Sequence, residues 1–139
     1  MTTFEDAMTN YLGARQGWYL NRAAAIACKE ELGEMRQQLK EAEAEIVVNN
    51  GTEDCPIDGK NAEMRTAQLI HCLAQNKAYG ELEGATARKE SALARLELAA
   101  EDAANHMRLA RYQMEYAIAE KQQEAAMLGG PERWAAVGG

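Results

Sequence analysis

The segment that decides the fold is Phe4–Ile46, FEDAMTNYLGARQGWYLNRAAAIACKEELGEMRQQLKEAEAEI. Within it, apolar side chains recur at alternating spacings of three and four residues, and no proline interrupts them. These positions, which we call the N-terminal seam, are Phe4, Ala7, Tyr11, Ala14, Trp18, Asn21, Ala25, Cys28, Leu32, Met35, Leu39, Ala42 and Ile46. Only Asn21 is polar. The pattern predicts one long helix whose narrow apolar stripe must be covered by another helix.

The composition of the remaining chain also favours helix. Ala, Glu, Leu, Arg, Gln and Met are frequent, aromatic residues make up 6% of 139 residues, and there are only two prolines. The expected fold class is all-α: a long antiparallel helical hairpin or coiled coil with a short third helix. Because alanine buries little area, we expect a homo-oligomer to complete the core. The seam residues predicted to form that oligomer or packing interface are Phe4, Tyr11, Trp18, Leu32, Met35, Leu39 and Ile46.

Capping and turn residues predict where the helices begin and end. The helices are expected over residues 3–48, 61–76 and 80–127, within a single domain 1–128 that is followed by a mobile tail, 129–139. The residues used as boundaries are Thr2 or Thr3, Asn49-Asn50-Gly51, Asn61, Asn76, a corner at Tyr79-Gly80, and Gly129-Gly130-Pro131. Inside helix one, Gly13 and Gly17 leave two alternatives open, which are a close helix approach and a break near Gly17.

Helix three carries two apolar faces. Its seam comprises Leu82, Thr86, Lys89, Leu93, Leu96, Ala100, Ala103, Met107, Ala110, Met114 and Ala117. Its second face comprises Leu98, Leu109, Tyr112 and Tyr116. Two faces predict that this helix packs against more than one neighbour.

The formal net charge of −7 is unevenly distributed, with 11 acidic and 5 basic side chains in residues 1–59. DNA affinity needs clustered Lys and Arg, so the pattern disfavours direct nucleic-acid binding and favours a protein partner. The N-terminus is acidic and no apolar run reaches the roughly 20 residues of a membrane span. We therefore expect a soluble protein without membrane contact, located in a cytoplasm.

The cysteine and histidine residues do not form a recognisable catalytic or metal-binding pattern. The three cysteines Cys28, Cys55 and Cys72 are an odd count without framework spacing, and we expect reduced thiols. His71 beside Cys72 lacks the ligand spacing of a zinc site. Carboxylates on the helices are typical of solvated faces. The sequence therefore predicts no enzyme activity, no cofactor and no metal.

Two arginines and two tyrosines lie close together on helix three. They form a candidate ligand patch of Arg108, Arg111, Tyr112 and Tyr116. Such side chains can stack on bases or clamp a phosphate. The favoured alternative is a helix face that packs on the N-terminal aromatic side chains Tyr11, Trp18 and Tyr19, with the arginines solvated or paired with Glu.

The segment after the loop is the most distinctive in the chain. It forms a motif turn, Asp58, Gly59, Lys60, Asn61 and Arg65, within Asp-Gly-Lys-Asn-Ala-Glu-Met-Arg, and Ala67-Gln68-Leu69 follows. A turn with a helix N-cap explains most of these residues. The run, with Tyr79 further on, resembles a motif of small helical proteins encoded by bacteriophages and prophages. The resemblance implies a phage origin, often among recombination or replication genes, and it implies no activity.

Three functional hypotheses follow from these features. The first is a non-enzymatic, oligomeric interaction protein of phage origin, accessory to phage DNA recombination or replication in the host cytoplasm. The second is an inhibitor of a host antiphage defence system, which blocks a nuclease with its acidic surface or sequesters a nucleotide signal. The third is a structural virion component.

Overall fold

The computed structural model describes the backbone of residues 3–138 and the side chains of residues 3–128. It contains three helices: α1 spans Phe4–Val48, α2 spans Ala62–Gln75 and α3 spans Lys77–Gly138. Among the described residues there is no strand, only an isolated bridge between Gly51 and Pro56. The predicted all-α class, with two long helices and a short third one, is confirmed.

The chain packs as two compact units, each of which contains a part of α1 and a part of α3. Unit 1 comprises residues 1–23 and 97–139, and unit 2 comprises residues 24–96. The single domain predicted over residues 1–128 stays a prediction. Over the described chain, no helix has both the length and the hydropathy that crossing a membrane requires.

The two long helices run antiparallel where they pack. In unit 2, the hydroxyl of Tyr79 at the start of α3 donates to Glu43 near the end of α1, at 2.5 Å. Further along α3, Arg36 Nη2 lies 3.0 Å from Glu90 Oε1. In unit 1, Lys121 Nζ lies 5.1 Å from the centre of the Phe4 ring.

The N-terminal seam is the packing face of α1. All of its members are buried or partly buried, whereas most other α1 residues are exposed. Leu32 is the most buried, at 2% exposure, and Ile46 is 8% exposed. The partly buried members of the predicted interface are Phe4, Tyr11, Trp18, Met35 and Leu39. The chain thus covers this stripe, fully or in part, with its own residues, and the oligomer expected at the seam stays a prediction.

The predicted seam of α3 is also buried or partly buried throughout. It has two polar members, of which Lys89 pairs with Glu31 of α1. The other, Thr86, is 4% exposed, and its hydroxyl donates to the carbonyl of Leu82 at 2.7 Å. The polar member of the α1 seam behaves like Thr86, since Asn21 Nδ2 donates to the carbonyl of Gly17 at 2.8 Å. Thr86 and Asn21 therefore satisfy hydrogen bonds within their own helices.

Helix ends follow the predicted caps in α1 and α2. The hydroxyl of Thr3 accepts from the amide of Asp6 at 3.1 Å, and the side chain of Asn61 accepts from the amide of Met64 at 2.8 Å. Of the two alternatives for Gly13 and Gly17, the break near Gly17 does not occur, because α1 is continuous over Phe4–Val48. A Cβ added to Gly13 or Gly17 would meet no atom within 4 Å, so close helix approach does not explain these glycines within the chain.

The start of α3 corrects one predicted boundary. The helix begins at Lys77, and Tyr79 and Gly80 lie inside it, so the predicted corner at these two residues is wrong. The reason is Asn76, which is the only residue between α2 and α3. Its side chain accepts a hydrogen bond from the amide of Tyr79 at 3.0 Å and so caps the start of α3. At the other end, α3 extends past Met127. The predicted mobile tail 129–139 lies outside the side chains that the structure describes.

Candidate functional site

The loop between α1 and α2 begins with a Schellman-type helix end. Asn50 has a left-handed backbone, with φ of 54°, and its amide donates to the carbonyl of Val47 at 3.1 Å. The amide of Gly51 donates to the carbonyl of Ile46 at 2.8 Å. The Asn-Asn-Gly stop predicted from the sequence is therefore the actual end of α1.

The same loop then closes on itself. The carbonyl of Asn50 accepts from the amide of Ile57 at 2.8 Å, and Thr52 and Cys55 exchange backbone hydrogen bonds at 2.9 and 3.2 Å. Ile57 is buried, at 9% exposure. These bonds fix the position from which the motif turn starts.

Gln68 on α2 holds the motif turn. Its side-chain oxygen accepts from the amides of Asp58 and Gly59 at 3.1 and 2.8 Å, while its side-chain nitrogen donates to the Asp58 carboxylate at 2.9 Å. A Cβ on Gly59 would lie 2.7 Å from the Cβ of Met64 and 3.0 Å from Gln68 Oε1. Glycine is therefore required here by the close approach of the turn to α2.

The motif residues divide into two groups. Asp58, Gly59 and Asn61 build the turn and the cap, as the sequence predicted for a turn with a helix N-cap. Lys60 and Arg65 are exposed, and the only side-chain hydrogen bond of Arg65 in the described structure is a long one, 3.4 Å from Nε to the carbonyl of Asn61. These two cations are the members of the motif that could contact a partner without unfolding the turn.

Removal of the Gln68 side chain should loosen the motif turn selectively. In Gln68→Ala we expect the amides of Asp58 and Gly59 to exchange hydrogen with solvent at least ten times faster, since the loss of about 1.4 kcal/mol is within the range for two amide hydrogen bonds. Hydrogen exchange followed by mass spectrometry measures this. Lys60→Ala is the matched control, because it removes an exposed side chain from the same turn. Equal exchange in both variants would contradict the role of Gln68.

A disulfide bond joins the loop to α2 and corrects one prediction. Cys55 and Cys72 are bonded, with their Cα atoms 5.6 Å apart, so the prediction of reduced thiols is wrong for these two. Cys28 is a free, buried cysteine. The bond lies in a buried cluster with Ile46 and Ile57, against which Leu69 and Leu73 pack. The spacing of the cysteines did not predict this pairing. The two residues are 17 positions apart, and only the path of the loop brings them together.

A shallow pocket of about 380 Å³ lies between the loop and α2. It is lined by Asp54, Cys55, Pro56, Ala67, Gln68 and His71. Its titratable groups are the imidazole of His71 and the carboxylate of Asp54. No group of three or more His, Cys, Asp or Glu side chains that could hold a metal ion was found among the described residues. The pocket offers polar contacts next to the motif turn, but it has no nucleophile paired with a base.

Tyr79, the other residue of the phage-like resemblance, is 9% exposed and lies in unit 2. Its hydrogen bond to the carboxylate of Glu43 raises the pKa of Tyr79 to about 12, and burial and the negative charges of Glu43 and Glu83 act in the same direction. The tyrosine thus ties the start of α3 to α1. Its place in the motif is explained by packing.

The pKa of Tyr79 predicts a loss of stability at high pH. Because the folded-state pKa is above the ordinary value of 10, the contribution of the neutral phenol is complete below pH 10 and is lost as the pH rises to about 12. A spectrophotometric titration should show one of the five tyrosines ionising near pH 12. Tyr79→Phe should remove that component, and Tyr112→Phe should leave it. Loss of the component in both variants would contradict the assignment.

The candidate ligand patch lies on α3 in unit 1, and its tyrosines are exposed. Tyr112 is 59% exposed and Tyr116 is 68% exposed. The favoured interpretation, in which this face packs on the N-terminal aromatic side chains, is therefore wrong for both tyrosines. Their exposure leaves the second apolar face of α3 uncovered within the described chain.

The arginines of the patch behave as surface residues. Arg111 Nε lies 3.8 Å from Glu115 Oε1, and the guanidinium carbon is 5.6 Å from the centre of the Tyr112 ring. Arg108 is exposed. Neither arginine lines the pocket beside the loop. The patch is a convex helix surface, which is suited to another surface more than to a small molecule.

Comparison with known proteins gave no identification. No family model, curated protein or solved structure matches the chain.

Proposed function

We propose that this chain is a non-enzymatic, phage-encoded helical interaction protein, an accessory to phage DNA recombination or replication. The phage setting rests on the resemblance of the motif turn. The host cytoplasm is the proposed location. Disulfide bonds are uncommon in that compartment, and the Cys55–Cys72 bond would persist there because both cysteines are buried, at 8% and 4% exposure.

The observation that carries the proposal is an exposed face of α1 in unit 1, which we call the α1 contact face. Its members are Met8, Leu12, Arg15, Tyr19 and Arg22, which recur at spacings of three and four along one side of the helix. Met8, Leu12 and Tyr19 are 41%, 54% and 51% exposed. This face is distinct from the seam, which is turned inward.

The charge of the α1 contact face differs from that of the chain. Residues 7–28 contain no Asp or Glu, although the whole chain has a net charge of −7. The guanidinium carbon of Arg15 lies 5.6 Å from the centre of the Tyr19 ring, and that of Arg22 lies 5.3 Å from the Trp18 ring. Stacking of this kind limits the freedom of the arginine side chains before a partner binds.

The chemistry of this face indicates the partner. Arg and Tyr are enriched among the residues that dominate binding energy at protein interfaces. Leu12 and Tyr19 would fill an apolar depression, and Arg15 and Arg22 would meet carboxylates at its edge. We therefore propose a protein partner whose contact surface is apolar with an acidic rim.

Site-specific photo-crosslinking tests this proposal. A photoreactive amino acid replaces Leu12 in one variant and the exposed Gln38 in the control variant, and both are activated in cells during phage replication. We expect Leu12 adducts that contain a phage recombination or replication protein and are lost when Arg15→Glu and Arg22→Glu are added. Adducts with the chain itself alone, or equal adducts at Gln38, would overturn the proposal.

A further inference from the structure

The second apolar face of α3 forms a separate stripe on unit 1, which we call the outer stripe. Its large apolar members are Leu98, Leu109, Tyr112 and Tyr116, which are 63%, 55%, 59% and 68% exposed. Asp102 and Asn105 lie between Leu98 and Leu109 on the same side of the helix, so that the positions of the stripe recur at alternating spacings of four and three residues. The stripe extends over roughly 27 Å of helix. Isolated exposed apolar residues are common, but an aligned set at heptad spacing is typical of a helix-packing surface.

We propose that the outer stripe binds the same stripe of a second copy of this chain, antiparallel and around a two-fold axis. In such a pairing, the residue numbers of facing positions add up to a constant along the stripe, and to within two of that constant on its flanks. The register that we propose places Leu109 against the partner's Tyr112, and Tyr112 against the partner's Leu109. The axis then passes between Ala110 and Arg111. This inference does not rest on the proposed function, which uses α1.

Charges beside the outer stripe favour this register. One flank carries Glu101, Arg108 and Glu115, spaced by seven residues, and the other carries His106, Gln113 and Glu120 with the same spacing. In the proposed register, Arg108 faces the partner's Glu115, and the symmetry repeats this pair. On the other flank, His106 faces the partner's Gln113, and this pair is repeated as well. Each flank therefore brings opposite charges or a hydrogen-bonding pair together.

Neighbouring registers bring like charges together. A shift by one heptad in one direction places Arg108 against the partner's Arg108 and Tyr112 against the partner's Asp102. A shift in the other direction places Glu115 against the partner's Glu115. A parallel pairing places Asp102 of the stripe beside the partner's Asp102. The antiparallel register centred between Ala110 and Arg111 avoids all of these contacts.

The solution mass of charge-reversal variants tests the proposal. Light scattering coupled to size exclusion should give twice the 15.3 kDa mass of one chain for the unmodified protein. Arg108→Glu and Glu115→Arg should each weaken the dimer at least tenfold, because each variant creates two like-charge pairs. The double variant should restore the dissociation constant to within a few-fold. Arg88→Glu, a charge reversal on the same helix outside the stripe, is the matched control.

A second measurement does not depend on charge. His106 and Gln113 are exposed and, in the proposed register, His106 faces the partner's Gln113. The double variant His106→Cys and Gln113→Cys should therefore form a disulfide-linked dimer under mild oxidation. The double variant His106→Cys and Gln123→Cys should not, because its nearest pair of new cysteines in different copies would be roughly 12 Å apart along the helix axis. A monomer at the highest soluble concentration, failure of the double charge reversal to restore the dimer, or equal cross-linking in both cysteine variants would each overturn the proposal.

Discussion

Gly51→Ala is expected to lower the free energy of unfolding of unit 2 by about 3 kcal/mol. Gly51 has a φ of +92°, which costs a residue with a Cβ about 1–2 kcal/mol. The added Cβ would also overlap the carbonyl oxygen of Cys55 and lie 2.8 Å from the amide nitrogen of Ile57. These are backbone atoms, so the loop itself must shift, at a cost of about 1–3 kcal/mol. Urea unfolding followed by circular dichroism measures the change.

Gly33→Ala is the matched control for this prediction. Gly33 lies inside α1 in the same unit, and an added Cβ there would meet no atom within 4 Å. The same substitution should therefore stabilise the protein, by about 1 kcal/mol, because alanine favours helix over glycine. A destabilisation by Gly51→Ala of less than about 1 kcal/mol would show that the loop tolerates a side chain at this position, since strained backbone alone should cost that much.

Replacement of both bonded cysteines is expected to have a similar effect. The double variant Cys55→Ala and Cys72→Ala should lose about 3 kcal/mol, because the bond closes a loop over a separation of 17 residues and so restricts the unfolded chain. The two alanines also remove sulfur atoms from the buried cluster with Ile46 and Ile57, which adds to the loss. Calorimetry with and without a thiol reductant measures the effect.

Sensitivity to the reductant identifies the bond responsible. The unmodified protein and Cys28→Ala should both lose stability when the reductant is added, because Cys28 is not bonded. The double alanine variant should show no response. A reductant effect that persists in the double variant, or that disappears in Cys28→Ala, would contradict the assigned pairing.

Long-range periodicity made most of the fold predictable. The N-terminal seam and the seam of α3 were recognisable because a coiled-coil interface repeats every seven residues, and each predicted seam position is covered in the structure. Local chemistry predicted the ends of α1 and the start of α2. Thr3 and Asn61 accept hydrogen bonds from amides three residues later, and Asn50 adopts the left-handed backbone that ends α1. The pattern did not reveal that the chain covers its own seam, because an apolar stripe does not specify whether its partner is another chain.

Features that depend on distant contacts were not predictable. The Cys55–Cys72 bond depends on the path of the whole loop, and no spacing rule encodes that path. The hydrogen bonds from Gln68 to the motif turn were missed for the same reason, although Gly59 next to a helix start was a signal of close approach. The corner expected at Tyr79 and Gly80 was wrong because a single residue, Asn76, separates the two helices.

The single-residue connection between α2 and α3 has a consequence for α2. With 14 residues, α2 is too short to be stable alone in water. Here it is fixed at one end by the amide of Asn76, which donates to the carbonyls of Cys72 and Leu73, and at the other by Gln68 and the motif turn. Its exposed positions, such as Met64 and Ile70, are thus displayed on a rigid short helix. An epitope grafted onto them would be presented in helical form, without the entropic cost of ordering that a free peptide of this length incurs on binding.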